Sequence, residues 1–192
     1  MIKTNETEQD FVNKLIPTFS KHFKVETEVW SKCKNGRIDL LLTLDNKYYF
    51  GIECKLPNSK RGEQIGKYVK QAIRYSNYEF YIGNGIYKKI PIFICPPLSY
   101  KYFLMNQRET IIDNIDNVYC NGNKFKKWHQ DRHCENSSHH SFNGFLGEFN
   151  VGEVRRFDNV NYYFSFSNNI IYELRNGIDE KRYTKLLKKL SI

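Results

Sequence analysis

The sequence predicts an α/β domain with a mixed central sheet, in the order helix, three-strand meander, helix, strand, followed by a C-terminal elaboration. Three observations carry this expectation. Apolar residues recur at helical spacing twice, over Glu6 to Phe23 and again after Gly62. Three strand-like runs separated by turn residues lie between those two stretches, and a short apolar run, Ile90 to Cys95, closes on Pro96-Pro97.

In the first stretch Phe11, Val12, Leu15, Phe19 and Phe23 form one apolar face, which predicts an amphipathic helix bent near Pro17. Glu8 lies three and four positions before Phe11 and Val12, so it sits at the inward edge of that face. The runs Val25 to Trp30, Arg37 to Leu44 and Tyr48 to Leu56 follow, broken at Lys34-Asn35-Gly36 and Asp45-Asn46, and predict an antiparallel meander. Ile65, Tyr68, Val69, Ala72 and Ile73 then repeat with the period of a core-facing helix, and Ile90 to Cys95 reads as a buried strand returning to the sheet. Beyond Pro97, Tyr100 to Ile112 reads as helical and Cys120 to His140 as a polar Cys/His-rich stretch. A hairpin is expected from Val160 to Phe166 with Ile170 to Leu174 around Asn168-Asn169, and a basic amphipathic helix from Asp179 to Leu190. The expected organisation is a core over residues 1–97, with 98–192 packed on it as an extension of one domain.

Composition narrows the partners. The chain has 192 residues, enough for one substantial core, and 30 basic against 21 acidic residues leave a net charge of +9. That excess favours a polyanion, nucleic acid above all, over an acidic small molecule. The polar N-terminus and the lack of any long apolar run exclude a membrane span or secretory signal from the reading, so a cytoplasmic protein is expected. Five cysteines at irregular positions form no disulfide framework. Richness in Lys, Asn, Ile, Tyr and Phe fits an AT-rich coding sequence of bacteria, phages or mobile elements.

Two strands carry charge where an apolar residue is expected. Asp39 interrupts Arg37 to Leu42, and Glu53 and Lys55 interrupt Phe50 to Leu56. Alternation puts Glu53 and Lys55 on one side of their strand, and Asp39 on the neighbouring strand can join them. Buried charges are costly unless paired or bound to metal. Two carboxylates from adjacent strands offer hard oxygen ligands to Mg²⁺, with a lysine placed to steady an attacking hydroxide. The alternative is a buried ion pair of Lys55 with Asp39 or Glu53.

Asp39 followed fourteen residues later by Glu53-x-Lys55, on two strands after one helix and before another, resembles the PD-(D/E)XK nuclease superfamily in its phage, junction-resolving or restriction-type branches. The matching elements run from about Glu6 to Cys95. The resemblance implies a restriction-endonuclease-like core and hydrolysis of phosphodiester bonds with Mg²⁺, or Mn²⁺ in its place, with DNA favoured over RNA and endonucleolytic action expected. It implies that Asp39 and Glu53 bind the metal, that the carbonyl of Cys54 adds a ligand and that Lys55 assists the nucleophile. The usual Pro before the Asp is replaced by Ile38. Glu8 matches a first-helix glutamate that reaches the metal, with Glu6 second, and Glu28 an acid that precedes the Gly-Arg-Ile-Asp segment. Gln64 matches a catalytic glutamine of the following helix. The competing readings are a helix N-terminal acid for Glu8, a solvated strand face for Glu28 and a solvated amide for Gln64.

Lys60, Arg61, Lys67, Lys70, Gln71 and Arg74 cluster after the Glu53 strand, where a phosphate backbone would pass such a site. Cys120, His129, His133 and Cys134 raise zinc as a minor reading, but without a C-x-x-C knuckle polar loop residues are the reading favoured. A homodimer is left open. The rival function is a nucleic-acid-binding or inhibitory protein of phage–host conflict on the same fold, without turnover.

Overall fold

The computed structural model describes residues 7–55, 63–95, 146–158, 161–167 and 169–190. The helix expected over Tyr100 to Ile112, the Cys/His-rich stretch and the basic pair Lys60 and Arg61 lie outside the described residues.

Helix α1 runs Glu8–Phe19, unbroken across Pro17, and buries Phe11, Val12, Leu15 and Phe19 as its spacing requires. Its start is fixed by a capping box: the Asp10 amide donates to Thr7 Oγ1 at 3.2 Å and the Thr7 amide to Asp10 Oδ2 at 2.8 Å. The meander follows as β1 (Lys24–Trp30), β2 (Arg37–Leu44) and β3 (Tyr48–Cys54), all antiparallel. Asp45 and Asn46 turn β2 into β3 with φ of 53° and 50°, a left-handed conformation that Asp and Asn tolerate better than most residues. Helix α2 (Glu63–Tyr75) crosses over to β6 (Ile92–Cys95), which pairs parallel to β3. Gly51 makes that contact close, because a Cβ there would meet Ile92 Cδ1 at 2.6 Å.

Between α2 and β6 the sequence reading missed a small hairpin, β4 (Glu79–Tyr81) and β5 (Tyr87–Lys89). Gly83, Asn84 and Gly85 all take positive φ at its turn, so the signal stood in the sequence as Gly-Asn-Gly. The second half extends the same sheet. Strand β7 (Val151–Asp158) pairs parallel to β6, and β8 (Asn161–Phe166), β9 (Asn169–Glu173) and β10 (Gly177–Ile178) follow in antiparallel order. The sheet has eight strands, β1-β2-β3-β6-β7-β8-β9-β10, with helix α3 (Glu180–Lys189) last in the chain. This mixed α/β architecture is the restriction-endonuclease-like fold expected.

Each face of the sheet carries its own core. On one face α1 and α3 cover Leu40, Phe50, Ile52, Cys54, Phe93 and Phe164; on the other α2 brings Tyr68, Ala72 and Tyr75 onto Leu41, Ile92 and Ile94. Strand β3 therefore presents Phe50, Ile52 and Cys54 to the first core and leaves Glu53 facing the second side.

Candidate active site

Glu53 is only 1% exposed, near the C-terminal end of β3, and its Oε2 has no hydrogen-bond partner among the described residues. Burial, and then the neighbouring Asp39 charge, push its carboxyl up to about 9. Asp39, on β2, accepts the Cys54 amide on Oδ2 at 2.6 Å. Its carboxyl is nonetheless pushed up to about 6, chiefly by burial, which outweighs that hydrogen bond. Lys55 follows directly after β3, still held to β6 by its amide on the Cys95 carbonyl at 3.1 Å. Its amine donates to Glu8 Oε1 at 2.7 Å, from the first turn of α1. Burial works against the ammonium, but the Glu8 hydrogen bond and the charges of Glu8, Glu53 and Asp39 outweigh it and raise the Lys55 pKa.

Each of Asp39 and Glu53 feels Lys55 and Glu8 electrostatically, so these four groups lie near one another at the ends of β2 and β3, with Glu8 reaching in from the start of α1. The ion pair foreseen for Lys55 with Asp39 or Glu53 takes another form, because Glu8 reaches the amine from outside the sheet while Glu53 lies too deep. Lys55 is thus held as a cation, whereas burial favours the protonated form of the two β-strand carboxylates, Glu53 above all. Among the described residues no three His, Cys, Asp or Glu side chains gather into a ready-made metal cluster. Two carboxylates do converge, one with an orphaned buried oxygen, and that donor set suits a hard divalent cation.

The remaining sequence-derived residues fall in different places. Glu28 lies on edge strand β1 between the pairs Thr27↔Leu40 and Val29↔Ile38, in a left-handed conformation, and its carboxylate is taken by Arg37 at 3.0 Å. It does not join the pocket. Gln64 and Lys67 lie on α2 near its start. Gln71 is engaged with the Tyr75 hydroxyl at 3.0 Å, Lys70 is exposed, and Arg74 is exposed yet contributes to the field at Glu53. Cys120, His129, His133 and Cys134 lie outside the described residues.

Two residues escaped the sequence reading of the site. The buried Tyr68 hydroxyl donates to the Glu53 carbonyl at 3.0 Å and ties α2 to the strand that carries the acid. Glu153, fully buried on β7, aligns with Ile94 and through it with Glu53, so both acids face the same side of the sheet. The signal was there: Val151-Gly152-Glu153-Val154 has an acid interrupting an apolar run, as Phe50 to Leu56 does. A cavity of about 620 Å³ lies elsewhere, against α3 and the β8–β9 turn, lined by Ser167, Asn169, Lys181 and Lys185 and by none of the pocket's acids.

Residues 2–94 match the family model of the PD-(D/E)XK nuclease superfamily. Over this stretch, just under half of its length, the chain is similar to that superfamily. The match begins just before α1 and ends within β6, so it covers every element that builds the carboxylate pocket. No curated protein and no solved structure matches the chain. Among the described residues no helix is long and apolar enough to cross a membrane.

Proposed function

We propose that this PD-(D/E)XK domain is a Mg²⁺-dependent nuclease that hydrolyses phosphodiester bonds, with DNA as substrate and endonucleolytic action. The observation that carries the reading is the pair Asp39 and Glu53, both with raised pKa, one with a buried oxygen unpartnered among the described residues, beside a charged lysine. Their carboxylates would hold the metal, with the Cys54 carbonyl as a further oxygen ligand. The bound ion would supply positive charge to the scissile phosphate and acidify a water.

The chain's own groups do the rest. Lys55 is a poor general base because the Glu8 hydrogen bond and the neighbouring acids raise its pKa; it donates to, and stabilises, the attacking oxygen or the phosphate. Glu8 aims the Lys55 amine rather than ligating the metal in this arrangement. The Cys54 amide fixes one Asp39 oxygen, while Tyr68 fixes the backbone of Glu53. Gln64, on the helix that follows, is proposed to orient the nucleophile. Lys60, Arg61, Lys67, Lys70, Gln71 and Arg74 are proposed to hold the phosphate backbone leading into the site.

The test is to incubate the protein with plasmid, single-stranded circle, four-way junction and RNA, in Mg²⁺, Mn²⁺ or chelator. Cleavage that needs the metal and disappears in Asp39→Asn supports the reading. Tight binding of nucleic acid with no cleavage in any metal would make this fold a binding module instead.

A further inference from the structure

Away from the carboxylates, the edge of the sheet carries an unusual surface. Trp30, Tyr81 and Tyr87 are 52%, 38% and 43% exposed, although large aromatic rings normally bury themselves. They lie in a line. Tyr81 is directly paired with Tyr87 in the β4–β5 hairpin, and the bridge Ser31↔Phe80 sets that hairpin beside the end of β1, next to Trp30. Cations stand at both ends: the Arg37 guanidinium is 5.4 Å from the Trp30 ring and the Lys32 amine 5.9 Å from the Tyr87 ring. Their acidic partners are the exposed Glu28 and the half-buried Glu79, and such surface pairs are cheap to exchange for a phosphate.

Arg37 links the line to the candidate site. Arg37 is the register partner of Trp30, stands two residues before Asp39 on the same strand, and contributes to the field at its carboxyl. We infer that Arg37, Trp30, Tyr81, Tyr87 and Lys32 form a stacking platform for the bases of an unpaired nucleic-acid strand, which leads that strand to Asp39 and Glu53. This rests on the nuclease reading and deepens it to a substrate class: a single strand, or the frayed or flipped-out part of a duplex. Bases present their faces to aromatic rings only when they leave the duplex stack. The Tyr81 and Tyr87 rings are 5.6 Å apart and tilted by 60°, so each ring takes its own base of a bent strand rather than sharing one flat stack.

The experiment measures binding of a fluorescent single-stranded oligothymidine, and of its duplex with oligoadenine, to the full chain in chelator. Trp30→Ala is expected to weaken single-strand binding about tenfold, with duplex binding unchanged, and Tyr87→Ala several-fold. Trp30→Phe, which keeps a ring, should stay near wild type. In a Trp128→Phe background the remaining Trp30 fluorescence should be quenched by the single strand. Unchanged single-strand affinity in Trp30→Ala, or equal losses on both forms, overturns the platform. So does loss of self-association in place of nucleic-acid binding, which would assign this face to a second copy of the chain. If Trp30→Ala loses single-strand binding while the parent cuts nothing in any metal, the nuclease reading fails and the platform stands. If the parent cuts and Trp30→Ala binds normally, the platform alone fails.

Discussion

Two regions of one sheet use the same residue types in opposite ways. Where α3 meets the β2–β3 turn, Glu180 accepts from the Tyr48 hydroxyl and the Lys47 amine, which hold its carboxyl below the usual range, and all three groups reach solvent or a partner. Where α1 meets the ends of β2 and β3, Asp39 and Glu53 are pressed together with burial against them, and both carboxyls are pushed up. The first arrangement is what folding alone favours. The second costs stability, and costs of this kind persist where a ligand or a reaction needs the charge.

The comparison is broken most severely from the side that only holds the fold together. Phe164 is fully buried between Phe19, Phe23, Phe50 and Phe93. Phe164→Ala should cost about 3–5 kcal/mol, read as a fall in the denaturant midpoint. That loss should be the same at mildly acid and neutral pH, because the ring packs on other aromatic rings rather than on Asp39 or Glu53. A pH-dependent loss would mean that the two regions are coupled through the sheet.

From the functional side, Lys55→Ala should lower cleavage on the order of 10²-fold or more while leaving nucleic-acid binding largely intact. Affinity comes from phosphate contacts spread over many cations, whereas Lys55 acts at the reacting atoms. Asp39→Asn should match it through lost metal affinity, with partial rescue by excess Mn²⁺. Wild-type turnover in Lys55→Ala, on a substrate the parent cuts, would refute its role.

The sequence foretold the regular parts because each was written twice, in periodicity and in punctuation. Helix α1, the meander and α2 had apolar stripes, with Asn-Gly and Asp-Asn turns between the strands; the strands and α2 formed within a residue or two of expectation, while α1 ends at Phe19, four residues before the expected Phe23. Strand β7 went unread because its outer half, Arg155 and Arg156, lacks alternation, and only pairing with β6 and β8 makes it a strand. The short β4–β5 strands went unread for a similar reason. Within the pocket, the spacing of Asp39, Glu53 and Lys55 was legible in one dimension. The grip of Glu8 on Lys55, the engagement of Glu28 by Arg37 and the alignment of Glu153 with Glu53 depend on contacts between elements, which no local pattern encodes.

A smaller effect sharpens the contrast by titration. Glu53 has a folded pKa of about 9 against an ordinary value of 4.5, so between these values the folded state holds a proton that the unfolded state has lost. Metal-free protein should therefore lose stability as pH rises through that window, and Asp39 adds the same sign between 3.8 and about 6. Glu53→Gln removes the larger slope. Its stability relative to wild type, both in chelator, should grow by on the order of 1–2 kcal/mol between about pH 6 and pH 8. Mg²⁺ should stabilise wild type more at the higher pH, because the cation must displace the proton, and should leave Glu53→Gln nearly unmoved. A flat difference across that range would remove the claim that Glu53 is a strained acid.

The smallest expected effect concerns the exposed cations of α2. Lys70 is exposed and belongs to neither core, so Lys70→Ala should leave stability within about 0.5 kcal/mol of the parent. If it contacts a phosphate, its loss weakens binding modestly and equally for every sequence, since a phosphate contact carries no base information. The decisive reading is the salt dependence. One phosphate contact contributes about 0.7 to 0.9 to the slope of log affinity against log salt, and Lys70→Ala should reduce the slope by about that amount. An unchanged slope, with duplex and single strand measured alike, would place the backbone away from α2 and leave the cations near Trp30 to carry it.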